Sequence, residues 1–336
     1  MICLGIESTA HSFGVGIADD SGNVITNVID MYKPPQGWGI HPVEAAQHHE
    51  QVKNDVLAKA LEEANIKPDD VDLIAYSQGP GLAPCLHKGF NFAYELQKKM
   101  KDNKKTEKIP VIGVNHCIAH IEIGRQTTNL KDPITLYASG ANTQILGFVS
   151  GRYRCFGETM DIGIGNALDK FGRGSGMGFP AGPRIEELAK KGDYVELPYV
   201  VKGMDLSFSG IITSALNKLK QGKANGTKLG DVCFSLQETL FAMMTEVTER
   251  ALAHTGKNEF LLTGGVAANK RLQEMLETMC KERGAKFAGV PLKLAGDNGA
   301  MIAWTGLVMH EAGVRTKQEI LPRQRTDDVD VKWMEK

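Results

Sequence analysis

The chain of 336 residues lacks several features that mark whole classes of protein. Its six cysteines form no C-x-x-C pair and are too sparse for a disulfide framework, so a reducing compartment, the cytosol, is expected. No stretch of about 18 uncharged apolar residues occurs, so the sequence predicts no membrane span. The N-terminus runs directly into a predicted strand, Ile2 to Ile6, without a basic start or a cleavage pattern, so no targeting peptide is expected.

The chain also has almost no net charge. Lysine and arginine total 39 against 40 aspartate and glutamate residues, so global charge argues neither for nor against a nucleic-acid partner. A polar connector at residues 98–108 contains six lysines and is predicted to be a solvated loop that adds at most a local basic rim. No basic helix or RNA-binding module is recognisable, so contact with RNA cannot be inferred from these patterns.

Glycine, by contrast, is abundant. The 37 glycines make up about 11% of the chain against a usual ~7%, and they cluster in short loops, as in proteins that wrap backbone around phosphate groups. The length predicts about two domains, each large enough to bury a core. The hydrophobic share of 42% and the charged share of 24% are ordinary for a soluble enzyme.

The most informative feature is a pair of histidines, His116 and His120, directly after a predicted buried strand at residues 110–114. On a helix this spacing places both side chains one turn apart on the same face, where they can bind one metal ion. Zinc proteases of the H-E-x-x-H type need a glutamate after the first histidine, and here that position is Cys117. The pattern predicts a metal-binding face without the hydrolytic base; a plain surface pair of histidines is the alternative.

A remote aspartate, Asp297, opens a predicted helix that runs to about Ala312. A metal site with open positions is expected to take a further ligand from a distant segment, and a carboxylate suits this role. We therefore interpret Asp297 as the ligand that joins the two histidines. An ordinary N-cap aspartate is the alternative.

Two similar hairpins indicate a duplicated domain, although two unrelated hairpins are the alternative. In the first, the turn residues Glu7, Ser8 and Thr9 are candidates for holding a phosphate. The second places strands at 135–138 and 144–149 around a small polar turn. Further predicted elements are helices at about 42–64, 82–100 and 161–173, strands at 72–77 and 260–263, and glycine-rich turns into helices at 179–186 and 264–269. The predicted division is an N-terminal lobe at 1–130, a C-terminal lobe at 131–296, a final helix and segment at 297–325 that return to the N-terminal lobe, and a tail at 326–336.

Together these segments closely resemble the universal tRNA threonylcarbamoyltransferase family, which comprises the bacterial TsaD proteins and the catalytic subunits of KEOPS complexes, formerly called O-sialoglycoprotein endopeptidases. Residues 32–37 and His48–His49 resemble the archaeal and eukaryotic branch. The chain stops near Thr326, so the fused kinase of some archaeal relatives is not expected. The matching segments are Gly5–Thr9, Gln78–Leu82, Pro110–Ile121, Leu136–Gln144, Lys202–Gly210, Gly264–Asn269 and Gly296–Ala300.

The resemblance implies an α/β fold of the actin-like ATPase (ASKHA) type, with two duplicated lobes and a nucleotide cleft between them. It implies transfer of a threonylcarbamoyl group from threonylcarbamoyl-AMP to N6 of the adenosine 3′ of the anticodon in ANN-decoding tRNAs. It implies a complex with an atypical protein kinase and small helper subunits. The predicted helices at about 42–64 and 82–100 are expected to offer an apolar face to a partner helix bundle; ordinary core packing is the alternative. No residue is implied as general base.

The same resemblance implies the cofactors and site residues. One Fe(II) or Zn(II) per chain would be held by His116, His120 and Asp297, with Tyr137 close enough to join, and Mg²⁺ would accompany any bound ATP. The residues implied to line the nucleotide are Tyr137, Ala138, Ser139, Gly140, Ala141, Asp169, Gly182, Glu186 and Asn269.

Three places depart from the family pattern. Ala141 and Ala181 stand where glycine is usual, and the run at residues 85–90 is unfamiliar. A methyl group at Ala141 matters only if the backbone there needs a positive φ or touches phosphate.

Three alternative functions stay open. An ATPase or small-molecule kinase of this fold would use an aspartate in the first hairpin turn for Mg²⁺, where this chain has Glu7. A metalloprotease lacks its glutamate at position 117, and Glu122 lies outside the known spacing for a base. A non-catalytic nucleotide-binding subunit of the same complex is the third.

Overall fold

The computed structural model describes residues 1–35, 38–100 and 108–334, apart from the side chains of residues 223–225. Most of the predicted lysine-rich connector, and residues 36–37 of the branch-specific segment, lie outside the described residues. Contacts divide the chain into two compact units: residues 1–126, 149–153 and 297–336 form the first, and residues 127–148 and 154–296 form the second.

The first unit contains a five-stranded sheet in the order β3-β2-β1-β4-β5. Strands β1 and β2 form the predicted hairpin and β3 extends it antiparallel, whereas β4 and β5 are parallel to β1. Its apolar core includes the fully buried side chains of Leu4, Phe13 and Phe92. The strands are β1 (Ile2–Glu7), β2 (Ser12–Asp19), β3 (Val24–Met31), β4 (Leu73–Gly79) and β5 (Val111–Asn115).

The second unit repeats this topology. Its sheet has the order β12-β11-β6-β7-β8, in which β6 and β7 form the second predicted hairpin and β11 and β12 run parallel to β6. The repeated strand order supports the interpretation of the two hairpins as a duplication. The strands are β6 (Ile134–Ala138), β7 (Thr143–Val149), β8 (Arg152–Glu158), β11 (Glu259–Thr263) and β12 (Lys286–Gly289), with β9 (Val201–Lys202) and β10 (Asp205–Leu206) paired separately.

The helices follow the sequence signals closely. Proline occupies the first turn of α1, α2 and α5, where its missing N–H is not needed, and glycine in the left-handed region ends several others. The helices are α1 (Pro42–Ala64), α2 (Ala83–Lys99), α3 (His116–Thr128), α4 (Ile164–Ser175), α5 (Gly182–Ala189), α6 (Ser209–Asn225), α7 (Leu229–Thr255), α8 (Lys270–Arg283), α9 (Leu292–Ala295) and α10 (Gly299–Glu311). In the described part of the chain no helix has the length and hydropathy needed to span a bilayer.

Two predicted helix starts are wrong by a few residues for identifiable reasons. Helix α4 begins at Ile164 rather than 161, because the Asp161 carboxylate accepts hydrogen bonds from the backbone N–H groups of Phe208 and Ser209 and is committed to that loop. Helix α10 begins at Gly299 rather than 297, because Asn298 is the residue that caps it.

Helix α10 crosses β1 and β2 in direct backbone contact. A Cβ atom on Gly5 would lie 2.3 Å from the backbone nitrogen of Ala303, and one on Gly16 would lie 2.1 Å from that of Ala300. No side chain larger than hydrogen fits at these crossings. The glycines therefore fix the height of α10 above the sheet, and with it the position of Asp297 just before the helix.

Candidate active site

The predicted histidine pair lies on α3, which follows β5 with no intervening loop. His116 is 5% exposed and His120 is fully buried, so the alternative of a surface pair is wrong. Their ring centroids are 4.8 Å apart and the ring planes are nearly perpendicular. The helical spacing thus turns both imidazoles toward one point inside the first unit.

Asp297 reaches the same point from the other end of the sequence. Its Oδ1 lies 3.3 Å from Nε2 of His120 and 3.4 Å from Nε2 of His116, and the three candidate ligand atoms lie within 4.8 Å of one another. The alternative of an ordinary N-cap is wrong, because the Asn298 side chain accepts the hydrogen bond from Met301 N that caps α10. The aspartate is therefore left to face the histidines.

The ionisation states of this cluster suit a cation. Burial lowers the pKa of His120, which favours the neutral imidazole that a metal binds. Burial opposes ionisation of Asp297, but the charge of His116 and hydrogen bonds from both rings hold the pKa of the Asp297 carboxyl well below its usual range. Burial raises the pKa of the neighbouring Cys117, so its thiol stays protonated and is a poor ligand or nucleophile.

Behind His116 lies a second carboxylate. Oε2 of Glu7 is 3.0 Å from Nδ1 of His116, and Glu7 is fully buried. Because a carboxylate oxygen accepts hydrogen bonds, Nδ1 donates to Glu7, and Nε2 is the ring nitrogen that faces Asp297. Nε2 of His116 and Oδ1 of Asp297 are 3.4 Å apart, so they can share a proton or bind one cation between them.

The donor set fits a transition metal. Two imidazole nitrogens and one carboxylate oxygen are ligands of catalytic zinc and non-haem iron sites, which leave positions open for water or substrate. Glu7 supplies the outer carboxylate that metal-binding histidines commonly have. The sequence patterns did not predict the contact between Glu7 and His116, because the two residues are 109 positions apart. The one sequence feature that could have indicated it is an acidic residue at the end of β1, which belongs to the same parallel strands as β5, the strand that leads into α3.

The other residues of the first turn are engaged inside the unit. Thr9 donates from both its backbone nitrogen and its hydroxyl to Oε1 of Glu7, and Ser8 N donates to Oγ of Ser77. All three turn residues are almost completely buried. The hydroxyl of Ser8 is buried against Gly89 without a hydrogen-bond partner among the described residues.

In the second unit, the residues implied to line a nucleotide form a connected set at the carboxyl ends of β6 and β11. Tyr137 and Ala138 end β6 and are buried. The turn that follows is held to the start of α4, where Gly165 N donates to the Ser139 carbonyl and Asn166 N to the Gly140 carbonyl. A Cβ on Gly264 would lie 2.3 Å from the Ala138 carbonyl oxygen, which places the end of β11 directly beside the end of β6.

The remaining residues of this set are linked in pairs. Oδ1 of Asp169 accepts from Ala181 N at 2.8 Å, just before Gly182, and Asp169 is partly buried. Oε1 of Glu186 accepts from Lys270 N, and Oδ1 of the adjacent Asn269 caps α8 by accepting from Leu272 N. The starts of α5 and α8 are thereby held together.

The departures from the family pattern are accommodated. Neither Ala141 nor Ala181 has a positive φ, so the methyl groups cause no backbone strain. The Ala141 turn packs instead on Gly163, where a Cβ would lie 2.4 Å from the Ala141 carbonyl carbon. Glycine is required on the α4 side of this contact.

Solved structures identify the fold class. A protein titled HypF from Thermococcus kodakarensis aligns with a TM-score of 0.61 at 15% identity, over 95% of this chain and 49% of that one. Component A of (R)-2-hydroxyglutaryl-CoA dehydratase from Acidaminococcus fermentans aligns with a TM-score of 0.55 at 14% identity, over 91% of this chain and 98% of that one. These are actin-like ATPase-fold proteins, and the predicted fold class is confirmed.

Sequence relatives identify the family. A family model described as TsaD, tRNA N6-adenosine threonylcarbamoyltransferase, matches residues 22–304. Proteins of that name from Thermococcus kodakarensis and Methanopyrus kandleri are 54% and 50% identical over 99% of this chain, covering 100% and 96% of their own lengths. A probable bifunctional tRNA threonylcarbamoyladenosine biosynthesis protein from Methanobrevibacter smithii is 53% identical, and the alignment covers 60% of it. The chain belongs to the TsaD family and is a transferase, as predicted.

Proposed function

We propose that this chain transfers the threonylcarbamoyl group of threonylcarbamoyl-AMP to N6 of the adenosine 3′ of the anticodon in ANN-decoding tRNAs. Family membership supports the reaction class. The single observation that supports the site is that His116, His120 and Asp297 converge inside the first unit, with Glu7 hydrogen-bonded to His116. The donor is a mixed anhydride that is already activated, so the site has to orient an amine against the carbamoyl carbon rather than hydrolyse ATP.

One Fe(II) or Zn(II) held by His116, His120 and Asp297 is part of this proposal. When bound, such a metal supplies a Lewis acid that can polarise the carbamoyl carbonyl or grip the threonyl group or a phosphate. The protein's own contribution is to hold Nε2 of both histidines and Oδ1 of Asp297 on one point, with Glu7 keeping the proton of His116 on Nδ1.

The nucleotide subsite of the proposal is the connected set at the ends of β6 and β11. The predicted turn at Ser139–Ala141 would approach the phosphates, and Glu186 and Asn269 the ribose or base. The links among these segments within the second unit support a preformed subsite. Lobes bounded at 1–130 and 131–296, with the later residues returning to the first, are likewise proposed. The assignment of residues 297–336 to the first unit supports that return.

Two alternative functions are disfavoured by specific contacts. In a kinase or ATPase of this fold, the acid of the first turn is needed for Mg²⁺, but both oxygens of Glu7 are committed to Thr9 and His116. In a protease, Glu122 would have to act as base, but it accepts from the Tyr153 hydroxyl and lies 2.6 Å from Arg125 Nη1.

The partners proposed are tRNA, an atypical protein kinase and small helper subunits of a KEOPS-type complex. The near-zero net charge gives little unaided attraction to a polyanion, which supports dependence on other subunits. We expect the isolated chain to bind metal and nucleotide but to modify tRNA poorly. Full activity of the isolated chain at physiological salt would contradict this dependence.

Two measurements test the function. Elemental analysis of the purified chain should give about one equivalent of iron or zinc, lost in His116→Ala/His120→Ala and kept in His41→Ala/His87→Ala, which removes two exposed histidines. A transfer assay with synthesised threonylcarbamoyl-AMP and an ANN-decoding tRNA, with partner subunits present, should show product with wild type and none with the first double variant. Equal metal content or equal transfer in that variant would refute the site.

The nucleotide subsite has its own test. Millimolar ATP or a non-hydrolysable AMP analogue should raise the melting temperature of the wild-type chain. Ala141→Gly should leave this shift unchanged, because Ala141 has no positive φ to relieve. No shift in the wild type would remove support for the subsite, and a clearly larger shift in Ala141→Gly would mean that the methyl group obstructs the ligand.

A further inference from the structure

The C-terminal segment (Thr316–Val331) is fastened across the carboxyl ends of β4 and β5. Oγ1 of Thr316 accepts from Gly113 N at 2.8 Å, and Nε2 of Gln78 donates to the carbonyls of Lys317 and Glu319 at 3.0 and 3.1 Å. Leu321 N donates to the Gln78 carbonyl at 2.7 Å. These bonds join residues more than 200 positions apart, so the path of the segment is specified by the fold.

The sheet is shaped to admit this backbone. Gly79 has a φ of +156°, and a Cβ there would lie 1.9 Å from the Leu321 carbonyl oxygen. No other residue type fits beside the segment at this position. The close approach brings the following residues of the segment over the junction between β5 and α3.

Asn115 connects the C-terminal segment to the helix that carries both histidines. Its Oδ1 accepts from Ile118 N at 3.1 Å, which satisfies an orphan donor in the first turn of α3. Its Nδ2 donates to Oε1 of Gln324 at 3.0 Å. Asn115 is 4% exposed and immediately precedes His116, so the side chain that orients the first turn of α3 is itself held by Gln324.

One further link connects α3 to the same segment through β8. At the far end of the segment, Val331 N donates to the Gly151 carbonyl at 2.8 Å. Two residues later, in β8, the Tyr153 hydroxyl donates to Glu122 of α3 at 2.8 Å. The helix is thus braced at its start and on its far side.

The chain that follows Asp297 returns to the start of α3, so the same stretch of chain is linked to all three candidate ligands. Asp297 lies just before α10, α10 ends at Glu311, and the chain then continues into the C-terminal segment that returns to Asn115. The C-terminal segment, which follows Asp297 in the chain, is therefore bonded through Asn115 to α3, the helix that carries His116 and His120.

We propose that the C-terminal segment is a positioning element of the metal site, acting through Gln324 on Asn115 and thereby on His116 and His120. The proposal rests on the metal site proposed above. A segment that merely covered the sheet would stabilise the fold without affecting how the three ligands converge, and this difference can be measured.

The experiment uses Co²⁺ as the probe on the full-length, metal-stripped chain, with visible absorption reporting affinity and ligand geometry. Gln324→Ala removes the nearer acceptor for Asn115 Nδ2 and leaves only the Arg325 carbonyl at 3.5 Å, whereas Gln324→Glu keeps an acceptor oxygen and serves as the conservative rescue. Arg323→Ala changes the exposed neighbour and is the matched control. The net strength of one buried hydrogen bond corresponds to about a 3- to 10-fold change in an equilibrium constant.

The proposal predicts that Gln324→Ala weakens Co²⁺ binding about 3- to 10-fold and alters its spectrum, while Gln324→Glu and Arg323→Ala stay within about 2-fold of wild type. Melting temperatures of the metal-free forms are measured alongside.

Each remaining outcome is decisive. A lower melting temperature in Gln324→Ala with unchanged Co²⁺ affinity and spectrum would mean that the C-terminal segment only stabilises the fold. That result would overturn the positioning role and leave the metal site intact. If wild type itself takes up no stoichiometric Co²⁺, both the metal site and the positioning role fail.

Discussion

The carboxylate of Glu7 lies 3.0 Å from Nδ1 of His116, and both groups are buried in the first unit. The contact joins the first hairpin turn of the chain to the helix after β5. Because Glu7, the acid of the first turn, is hydrogen-bonded to His116, it serves the histidine rather than a Mg²⁺ ion bound to phosphate. In a site of this kind an outer carboxylate fixes the tautomer and raises the basicity of the ligand nitrogen.

The first prediction concerns this carboxylate. Glu7→Gln keeps the shape of the side chain but weakens its pull on the Nδ1 proton, so Co²⁺ affinity should fall about 10- to 100-fold. Titration of the metal-stripped chain, followed by visible absorption, measures this change. Glu62→Gln, on the exposed side of α1, is the matched control and should bind as wild type does. Unchanged affinity in Glu7→Gln would mean that the 3.0 Å contact has no role in ligation.

The second prediction separates the cap of α10 from the ligand beside it. Asn298→Ala removes the side chain that accepts from Met301 N, so the free energy of unfolding should fall by about 1 kcal/mol. Asp297→Ala removes no cap and should abolish stoichiometric Co²⁺ binding without a comparable loss of stability in the metal-free form.

Denaturant unfolding of the metal-free variants and Co²⁺ titration give the two readouts. The opposite pattern, with stability lost in Asp297→Ala and metal binding retained, would return Asp297 to an ordinary capping role. Asn298→Ala is also the internal control, since it alters the adjacent residue of the same turn.

The sequence was sufficient to predict features that depend on local pattern. The amphipathic spacing and Pro42 predicted α1 at its observed bounds, and the spacing of His116 and His120 predicted their common face. The repeated hairpins predicted two similar sheets, because strand and turn signals are carried by neighbouring residues.

What the sequence could not predict depends on contacts between distant segments. Asn298 and Asp297 are both good capping residues, and only the packing of α10 on the glycines of β1 and β2 decides which one caps. The pairing of Asn115 with Gln324 spans 209 residues and leaves no periodic signal. Side-chain bonds of this kind follow from the tertiary fold rather than from local propensity.

The third prediction concerns the crossing of α10. Gly16→Ala would place a methyl group 2.1 Å from Ala300 N, so α10 must shift, and the free energy of unfolding should fall by about 1–3 kcal/mol or more. Because Asp297 precedes this helix, Co²⁺ affinity should fall with it. Gly289→Ala, in β12 with open space around its Cβ position, is the control and should be close to neutral. A Gly16→Ala variant as stable as wild type would show that the crossing tolerates a wider spacing.

The last prediction concerns pH and His49, which is fully buried beside Phe13. Burial, helped by the charge of His48, lowers the pKa of His49 to about 4. An unfolded histidine takes up its proton near pH 6.5, so between those two values the unfolded chain binds more protons than the folded one. The contribution of His49 is fully present above about pH 6.5, decreases as the pH falls toward 4, and amounts to about 3 kcal/mol.

Melting temperatures measured from about pH 7.5 down to about pH 4.5 test this relation. His49→Gln removes the titrating ring, so its melting temperature should fall less steeply with acidification than that of wild type, whatever its value at neutral pH. His41→Gln removes an exposed histidine and should follow the wild-type slope. Because His120 and every other titrating group are retained in both variants, the difference between the slopes isolates His49, and parallel curves for all three proteins would contradict its role.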